Sequence, residues 1–339
     1  MKKKILYAFL VIVIPVIALA VYACSVINTG FDIDRITYVY IDENKSYDAL
    51  LKQLEDSAKV KDISGFDRLA SIMGYKNNPR TGRYAVKPDM NILDLTRRLR
   101  SGRQAPVRLK FNNIRTREDF ARRISEQLMM SKEDLLKSLD DPDKCTELGF
   151  TAENVITMFI PDTYEFYWNV SVDEFLRRMK TEYNGFWNTG RLNRAGQLGL
   201  TPVEVSILAS IVEEECTFQD EYPLVAGLYL NRLRSGQALQ ADPTVKFATG
   251  DFSLRRILNR HLETDSPYNT YMYAGLPPGP VRIPSIKGID SVLDYTKSDY
   301  LYMCAKEDFS GRHNFAKTYA EHRKNAARYR NALDARGIY

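Results

Sequence analysis

The chain opens with one long apolar run. Residues 5–24 are 20 consecutive residues without a charge. At about 1.5 Å of rise per residue, a helix of this length covers roughly the 30 Å hydrocarbon thickness of a bilayer. Lys2, Lys3 and Lys4 precede the run, and the positive-inside rule then keeps the N-terminus in the cytoplasm. The pattern predicts a cytoplasmic lysine cluster and a single-pass anchor in the inner (cytoplasmic) membrane over residues 1–31.

Two other interpretations of this N-terminus stay open. A cleaved signal peptide has a shorter apolar region of about 7 to 15 residues, although Ala18-Leu19-Ala20 resembles its cleavage site. Cys24 lies where a lipoprotein is lipidated, but the bulky Tyr22 stands where a small residue is usual. All three interpretations place residues 32–339 outside the cytoplasm, on the periplasmic or extracytoplasmic side.

A small module is predicted over residues 32–103. Its elements follow the order strand, helix, helix, strand, over residues 37–42, from Ser46 onward, 62–73 and 82–86. A further helix begins at Asn91 and ends at Gly102. This βααβ unit is either a packing and spacer module or a carbohydrate-binding module similar to LysM.

Residues 104–339 form the larger part, predicted as one mixed α/β domain. Short strands are predicted at residues 107–111, 301–305 and 313–315. Thr318 and Glu321 form a capping box that begins the last helix. Helices and short strands follow one another without a repeat, so the fold class of the whole chain is α+β.

Composition excludes several classes of protein. A chain of 339 residues with 44% hydrophobic and 27% charged residues is an ordinary globular protein, not a disordered, collagenous or coiled-coil one. The net charge of +5 falls to +2 without the three N-terminal lysines, which is too small to indicate nucleic-acid binding. The cysteine spacing selects no disulfide pair, and no histidine stands in a metal-binding spacing. We therefore expect neither a metal nor a cofactor, and a peptidase is disfavoured.

One helix carries the most informative acid. Thr201 to Glu204 combine a capping box with Pro202 at the first helical position, and the helix is predicted to run to about Cys216. On a helical wheel of about 100° per residue, Glu215 falls in the middle of the apolar stripe. Glu213 falls on the opposite face and Glu214 at the border, and we interpret both as surface charges.

The position of Glu215 has a chemical consequence. A carboxylate on an apolar face loses hydration, so its pKa rises and it can act as a general acid near neutral pH. The alternative is that Glu215, in the last turn of the helix, is simply solvated. Two later loops, residues 240–244 and 266–271, combine amides, hydroxyls and tyrosines, which suit a sugar ligand. The same residues also order turns, and composition does not decide between these interpretations.

Several segments occur in a fixed order over residues 200–320. They are Ser210–Glu215, Asn231–Leu233, Leu239–Val245, Tyr268–Tyr271 and Gly275–Gly279. In order and spacing they resemble the endolytic murein transglycosylase family (MltG, YceG-like), and the anchor and LysM-like module extend the resemblance to nearly the whole chain. Three positions differ from the family pattern: Glu214 replaces a Lys, and Cys216 and Ala241 stand where Thr is common. The segment His313–Ala316 keeps the His and Phe of the family but changes their neighbours, which leaves the role of His313 open.

The resemblance implies a lytic transglycosylase of peptidoglycan whose catalytic acid is Glu215. This residue protonates the glycosidic oxygen between N-acetylmuramic acid and N-acetylglucosamine, then accepts the proton of the muramoyl C6 hydroxyl as that oxygen attacks C1. Cleavage of nascent strands leaves 1,6-anhydro ends and terminates elongation. The implied partners are glycan strands, the membrane and the cell-wall synthesis machinery. The implied glycan-binding residues are Asn231, Gln240, Asp242, Thr244, Tyr268, Asn269 and Thr270.

Two rival functions remain. A hydrolase of the same polymer needs a second carboxylate about 5 to 9.5 Å from the first, and Asp242 is the candidate. A non-catalytic scaffold needs only the glycan-binding module. Endolytic rather than exolytic action follows from the family resemblance and the anchor, not from individual residues.

Overall fold

The fold is described by a computed structural model that covers residues 2–112, 114–254 and 256–337, with the side chains of residue 9 and of residues from 11 onward. Within these ranges helices predominate, and the strands form three separate two-stranded sheets. The predicted α+β class is confirmed. Two compact units are present, and each is described by itself.

The first unit contains the chain up to Leu109, together with Glu126–Met130 and Tyr164–Val170. Its elements, in chain order, are α1 (Lys2–Ile27), β1 (Thr37–Ile41), α2 (Tyr47–Asp56), α3 (Ile63–Ile72), β2 (Gly82–Val86) and α4 (Ile92–Ser101). Strands β1 and β2 are antiparallel, with Thr37 opposite Val86 and Ile41 opposite Gly82. The predicted strand, helix, helix, strand order is confirmed, whereas the likeness to LysM stays a prediction.

Local signals explain where these helices begin and end. The side chains of Ser46, Asp62 and Asn91 each accept a hydrogen bond from the backbone N–H three residues later, as N-cap residues do. Helix α4 ends at Gly102, whose φ of 70° lies in the left-handed region that favours glycine. Apolar residues from all five elements beyond α1 then form one core, which includes Val39, Leu50, Phe66, Tyr84 and Leu95.

The second unit contains residues 110–125, 131–163 and 171–339. Its helices are α5 (Arg117–Ser125), α6 (Lys132–Asp140), α7 (Pro142–Glu147), α8 (Val172–Phe186), α9 (Thr189–Leu198), α10 (Pro202–Glu215), α11 (Tyr222–Arg234), α12 (Asp242–Thr249), α13 (Asn259–Leu262), α14 (Ile286–Leu293) and α15 (Tyr319–Asp334). A 3-10 turn covers Val155–Met158. Its strands β5 (Tyr302–Ala305) and β6 (His313–Ala316) pair antiparallel. Strands β3 (Val107–Lys110) and β4 (Thr163–Phe166), which pair with each other, lie mostly within the first unit.

Helix α10 lies at the centre of the second unit. Thr201 and Glu204 form the predicted capping box at its start, and α9, α11, α12 and α14 pack around it. Even Ser206 and Ser210 are fully buried, because their hydroxyls donate to backbone carbonyls of the preceding turn. The helix is therefore buried on nearly all sides, and its last residue, Glu215, is carried to the edge of this core.

Among the described residues, no single helix combines the length and the hydropathy of a membrane span. The segment Val11–Ile27 of α1 is apolar but shorter, and α9 with α10 passes only as a pair bent by 76°. The predicted anchor over residues 1–31 thus remains a proposal, as do the boundaries at residues 103 and 104.

Candidate active site

Glu215 is the last residue of α10, and Cys216 leaves the helix in an extended conformation. The carboxyl group is therefore at the negative end of the helix dipole, which disfavours a second negative charge there. The pKa of Glu215 is raised to about 8, chiefly by burial and also by the nearby Asp242, while Arg232 opposes the rise. The direction of the shift agrees with the predicted rise in pKa, and the catalytic role of Glu215 stays a prediction.

Glu215 and Asp242 line two concave regions of the second unit. One has a volume of about 610 Å³ and is also lined by Glu214, Lys246, Arg256 and Tyr329. The other has a volume of about 300 Å³ and is also lined by Tyr229, Arg232, Gln240, Tyr271 and His313. This carboxyl group lines both concavities. It can therefore contact the bond that joins two chemical groups when each group occupies one of the concavities.

Asp242 is held by a tyrosine. The Tyr271 hydroxyl donates a hydrogen bond of 2.7 Å to Asp242 Oδ1. Burial raises the pKa of Tyr271, and the hydrogen bond and negative charge of Asp242 raise it further. The hydroxyl therefore keeps its proton and donates a hydrogen bond to the carboxylate, which fixes Asp242 at the exposed start of α12 beside Glu215.

Arg232 was not selected from the sequence, although it belongs to a recognised motif. Its Nε donates to the Leu301 carbonyl at 2.7 Å, and its Nη1 donates to the Leu239 carbonyl at 2.6 Å. The side chain is buried, so its charge acts on Glu215 with little screening by water. The neighbouring Asn231 donates through Nδ2 to the carbonyls of Ser298 and Tyr300, at 2.7 and 3.0 Å.

Three of the predicted glycan-binding residues are buried. Thr244 and Asn269 are fully buried, and Thr270 is 1% exposed. The Thr244 and Thr270 hydroxyls are 2.8 Å apart, and the Asn269 amide donates to two carbonyls of its own loop. These side chains hold the loops before α12 and after α13 together. Direct contact with glycan stays a prediction for them, and this geometry does not support it.

The remaining predicted residues, Gln240 and Tyr268, differ in setting. Gln240 is exposed, lines the smaller concavity and has a φ of 49°, a left-handed conformation that is uncommon for a residue with a side chain. Its N–H donates to the Thr270 carbonyl at 3.0 Å. Tyr268 packs on Phe247 with ring centroids 4.6 Å apart, and burial raises its pKa to about 12.

The interpretation of Glu213 and Glu214 as surface charges is wrong. Glu213 is 8% exposed and accepts hydrogen bonds from the N–H and the hydroxyl of Ser285, the N-cap residue of α14. Glu214 accepts two hydrogen bonds, of 2.9 and 3.0 Å, from Arg115 Nη2 and a third, of 2.9 Å, from Arg282 Nη1. The wheel counts only the helix's own residues, so it misses partners that other segments bring.

His313 also lines the smaller concavity, and the sequence left its role open. Its N–H donates to Glu221 Oε1 at 3.1 Å, and its Nδ1 lies 3.2 Å from Glu221 Oε2. Glu221 immediately precedes α11, so this pair ties the start of β6 to the start of α11. The four cysteines are unpaired in this structure.

The chain is similar in sequence to known proteins. The sequence model of the YceG-like family matches residues 39–328. An endolytic murein transglycosylase of Bacillus subtilis is 26% identical over 307 residues, which cover 86% of this chain and 84% of that protein. One of Streptococcus pneumoniae is 29% identical over 235 residues, covering 66% of this chain and 41% of that protein.

A solved structure is also similar. The 2.6 Å crystal structure of a YceG-like protein from Listeria monocytogenes superposes with a TM-score of 0.58 at 27% identity. The matched region covers 86% of this chain and 99% of the Listeria chain. Fold and sequence thus agree on one family.

Proposed function

Because the chain belongs to the YceG-like family, we propose that it is an endolytic peptidoglycan lytic transglycosylase. The observation that carries the proposal is Glu215, whose raised pKa of about 8 keeps the carboxyl protonated at neutral pH beside two concavities. A protonated carboxyl group placed against a polymer-sized cleft is what a general acid for glycosidic cleavage requires. The polymer cleaved is the nascent glycan strand, and cleavage ends its elongation.

The mechanism uses one carboxyl group twice. Glu215 donates its proton to the glycosidic oxygen that leaves N-acetylmuramic acid, and the C1–O bond breaks. The resulting carboxylate accepts the proton of the muramoyl C6 hydroxyl as that oxygen forms a bond to C1. The products are a 1,6-anhydro end and a free 4-hydroxyl on N-acetylglucosamine, and no water is consumed. Asp242, on the same cleft, favours the protonated Glu215 at the start and places negative charge near the cation-like C1.

We also propose where the protein acts. The apolar residues 5–24 and the three lysines before them support a single-pass anchor, with residues 32–339 outside the cytoplasm. Residues 32–103 are proposed as a LysM-like module and residues 104–339 as the catalytic domain. The proposed partners are glycan strands, the membrane and the proteins that synthesise the wall. Among the predicted binding residues, Gln240 and Asp242 line the cleft and are proposed to contact the glycan.

A second function has one observation in its favour. Asp242 and Glu215 line the same two concavities, as the two carboxylates of a hydrolase do. In that case a water molecule adds to C1, and the muramoyl end is reducing. The mass of the product therefore separates the two reactions, because a reducing end is heavier than an anhydro end by one water.

The test is digestion of peptidoglycan by the full chain in detergent micelles, with the products analysed by mass spectrometry. We expect anhydro ends, and we expect Glu215→Gln to lower the rate at least about 100-fold, because the amide transfers no proton. Glu133→Gln, an exposed acid in the first turn of α6, is the matched control and keeps the native rate. Reducing ends would favour the hydrolase, and full activity of Glu215→Gln would refute the assignment.

A further inference from the structure

The first unit contains a basic cavity that peptidoglycan cleavage does not use. Its volume is about 710 Å³, and it lies along the C-terminal half of α4 and the segment before that helix. Its cationic lining residues are Lys87, Arg97, Arg98, Arg100 and Arg103. Among the described residues of the lining, the acids are Asp89 and Asp94, so these residues carry an excess of three positive charges.

These cations have no carboxylate partners among the described residues. In the part of the chain that the structure describes, none of the five forms a salt bridge, and all except Arg98 are exposed. By contrast, Arg115 and Arg282 in the second unit are both paired with Glu214. Like charges gathered without partners repel one another and favour binding of an anion. Guanidinium groups in particular match the oxygens of a phosphate.

The cavity is close to the end of α1. Helix α4 begins directly beside that end, because the Ile92 N–H donates to the Thr29 carbonyl at 2.9 Å and Gly30 pairs with Asn91 in a β-bridge. At about 1.5 Å per helical residue, Arg97 is only about 8 Å further along α4. The basic lining therefore begins within about one Debye length of the point where the apolar helix ends.

Helix α3 supplies the features of an interfacial surface on the same side. Arg68 Nη2 donates to the hydroxyl of Tyr22 in α1 at 3.2 Å, and tyrosine and arginine are common where an apolar helix leaves a bilayer. Ile72, the last residue of α3, is 83% exposed, and Met73 after it lines the basic cavity. An exposed apolar residue next to a basic cavity suits the boundary between headgroups and acyl chains.

We propose that the basic cavity binds the phosphate headgroups of anionic phospholipids in the outer leaflet of the membrane that α1 crosses. Charge complementarity and the position beside the end of α1 both favour a lipid headgroup. A neutral sugar chain would leave the excess positive charges without partners. The inference rests on the anchor part of the proposed function and not on the chemistry at Glu215.

The experiment places the full chain in nanodiscs of phosphatidylcholine, with or without phosphatidylglycerol, and measures amide hydrogen exchange. We compare the native chain with the triple variant Arg97→Gln, Arg100→Gln, Arg103→Gln. The control, Arg323→Gln, Lys324→Gln, Arg330→Gln, removes the same charge from exposed positions of α15. Exchange in phosphatidylcholine discs reports whether each variant is folded.

The expected result is slower exchange of residues 87–103 in discs that contain phosphatidylglycerol. The effect is lost in the triple variant and at high salt, and it is retained in the control. Because each cation near an anionic surface contributes about fivefold in binding, we expect the triple variant to bind phosphatidylglycerol at least about tenfold more weakly. Equal protection in both kinds of disc, or protection unchanged by the triple variant, would overturn the proposal.

Soluble ligands give a further arm of the test. If inorganic phosphate or uncharged glycan fragments protect residues 87–103 in phosphatidylcholine discs and phosphatidylglycerol does not, the cavity is a site for a soluble ligand and the proposal is wrong. Peptidoglycan cleavage is measured on the same samples. A failure of lipid binding with cleavage intact is then distinguishable from a failure of the proposed enzyme function.

Discussion

At the scale of single residues, the protein is defined by one acid kept neutral by its surroundings. Glu215 combines a helix C-terminus, burial and a second carboxylate, and each of these favours the protonated form. Arg232 moderates the effect, so the pKa of about 8 lies close to the pH at which the enzyme is proposed to work. After Glu215 gives up its proton, its carboxylate can act as the base in the second step of the proposed mechanism.

The influence of Asp242 can be tested through the pH profile. We expect kcat/KM of the native chain to fall as the pH rises through about 8, because Glu215 loses its proton there. Asp242→Asn removes a negative charge beside Glu215 and near C1, so the alkaline fall should move to lower pH, and activity at pH 6 should fall by less than the roughly 100-fold expected of Glu215→Gln. Loss of activity by about 100-fold or more at every pH would instead identify Asp242 as a second catalytic carboxylate.

The same acid makes the fold less stable at high pH. The unfolded chain releases the Glu215 proton near 4.5, whereas the folded chain keeps it until about 8. Between these values the unfolded state binds fewer protons, so stability falls as the pH rises. We expect Glu215→Gln to match the native chain at pH 4 and to exceed it by up to about 4 kcal/mol at pH 8, because each pH unit between 4.5 and about 8 costs the native fold about 1.4 kcal/mol. Thermal unfolding across this range measures the difference, and a constant difference would contradict the raised pKa.

The acids of α10 show which features of single residues can be predicted from the sequence. The helical wheel placed Glu215 on an apolar face, and its pKa is indeed raised by burial. It failed at Glu213 because that residue is buried by α14. The Glu213 carboxylate accepts a hydrogen bond from the Ser285 N–H, and the periodicity of α10 alone does not predict this partner. The loop motif also selected Asn269, yet only coordinates reveal that its amide donates to its own loop.

At the scale of elements, the contact between α10 and α14 positions the catalytic end of the helix. Glu213 accepts from Ser285, and Gly288 in the first turn of α14 lies so close to the Glu213 carboxylate that a Cβ there would collide with it. Glu214 is fixed on the neighbouring side by Arg115 and Arg282. Both acids before Glu215 are therefore anchored, and the last turn of α10 is held in place.

This contact predicts the effect of adding one methyl group. Gly288→Ala forces the Glu213 carboxylate away from Ser285, and we expect the free energy of unfolding to fall by about 1 to 3 kcal/mol. Gly196→Ala in α9 is the matched control, because its Cβ meets no atom within 4 Å, and it should stabilise the protein by about 0.5 to 1 kcal/mol. Equal effects of the two substitutions in denaturant titrations would contradict the predicted collision.

Element boundaries were the easiest feature to predict. Caps and turns depend on neighbours in sequence, so Ser46, Asn91, Gly102 and the box at Thr201 were all found from local chemistry. By contrast, strand β4 was not predicted from the sequence. A strand forms only when it pairs with another strand, here β3, and the local sequence does not specify that pairing.

At the scale of the whole molecule, the charge distribution sets the proposed orientation. Lys2, Lys3 and Lys4 account for three of the five net positive charges. We expect a C-terminal alkaline phosphatase fusion to be active, because that reporter folds only outside the cytoplasm. Replacing the three lysines by glutamate should lower the active fraction, since lysines near the apolar run set orientation. The same change at Lys52, Lys59 and Lys61 should leave it unchanged, and an inactive native fusion would refute the topology.

The connection after α1 has a mechanical consequence. The chain leaves α1 and is paired at once, through the Thr29 carbonyl with Ile92, through Gly30 with Asn91 and through Phe31 with Val60. Little slack therefore remains between α1 and the rest of the first unit. If α1 spans the bilayer as proposed, we expect a tilt of the helix to tilt the rest of the first unit with it.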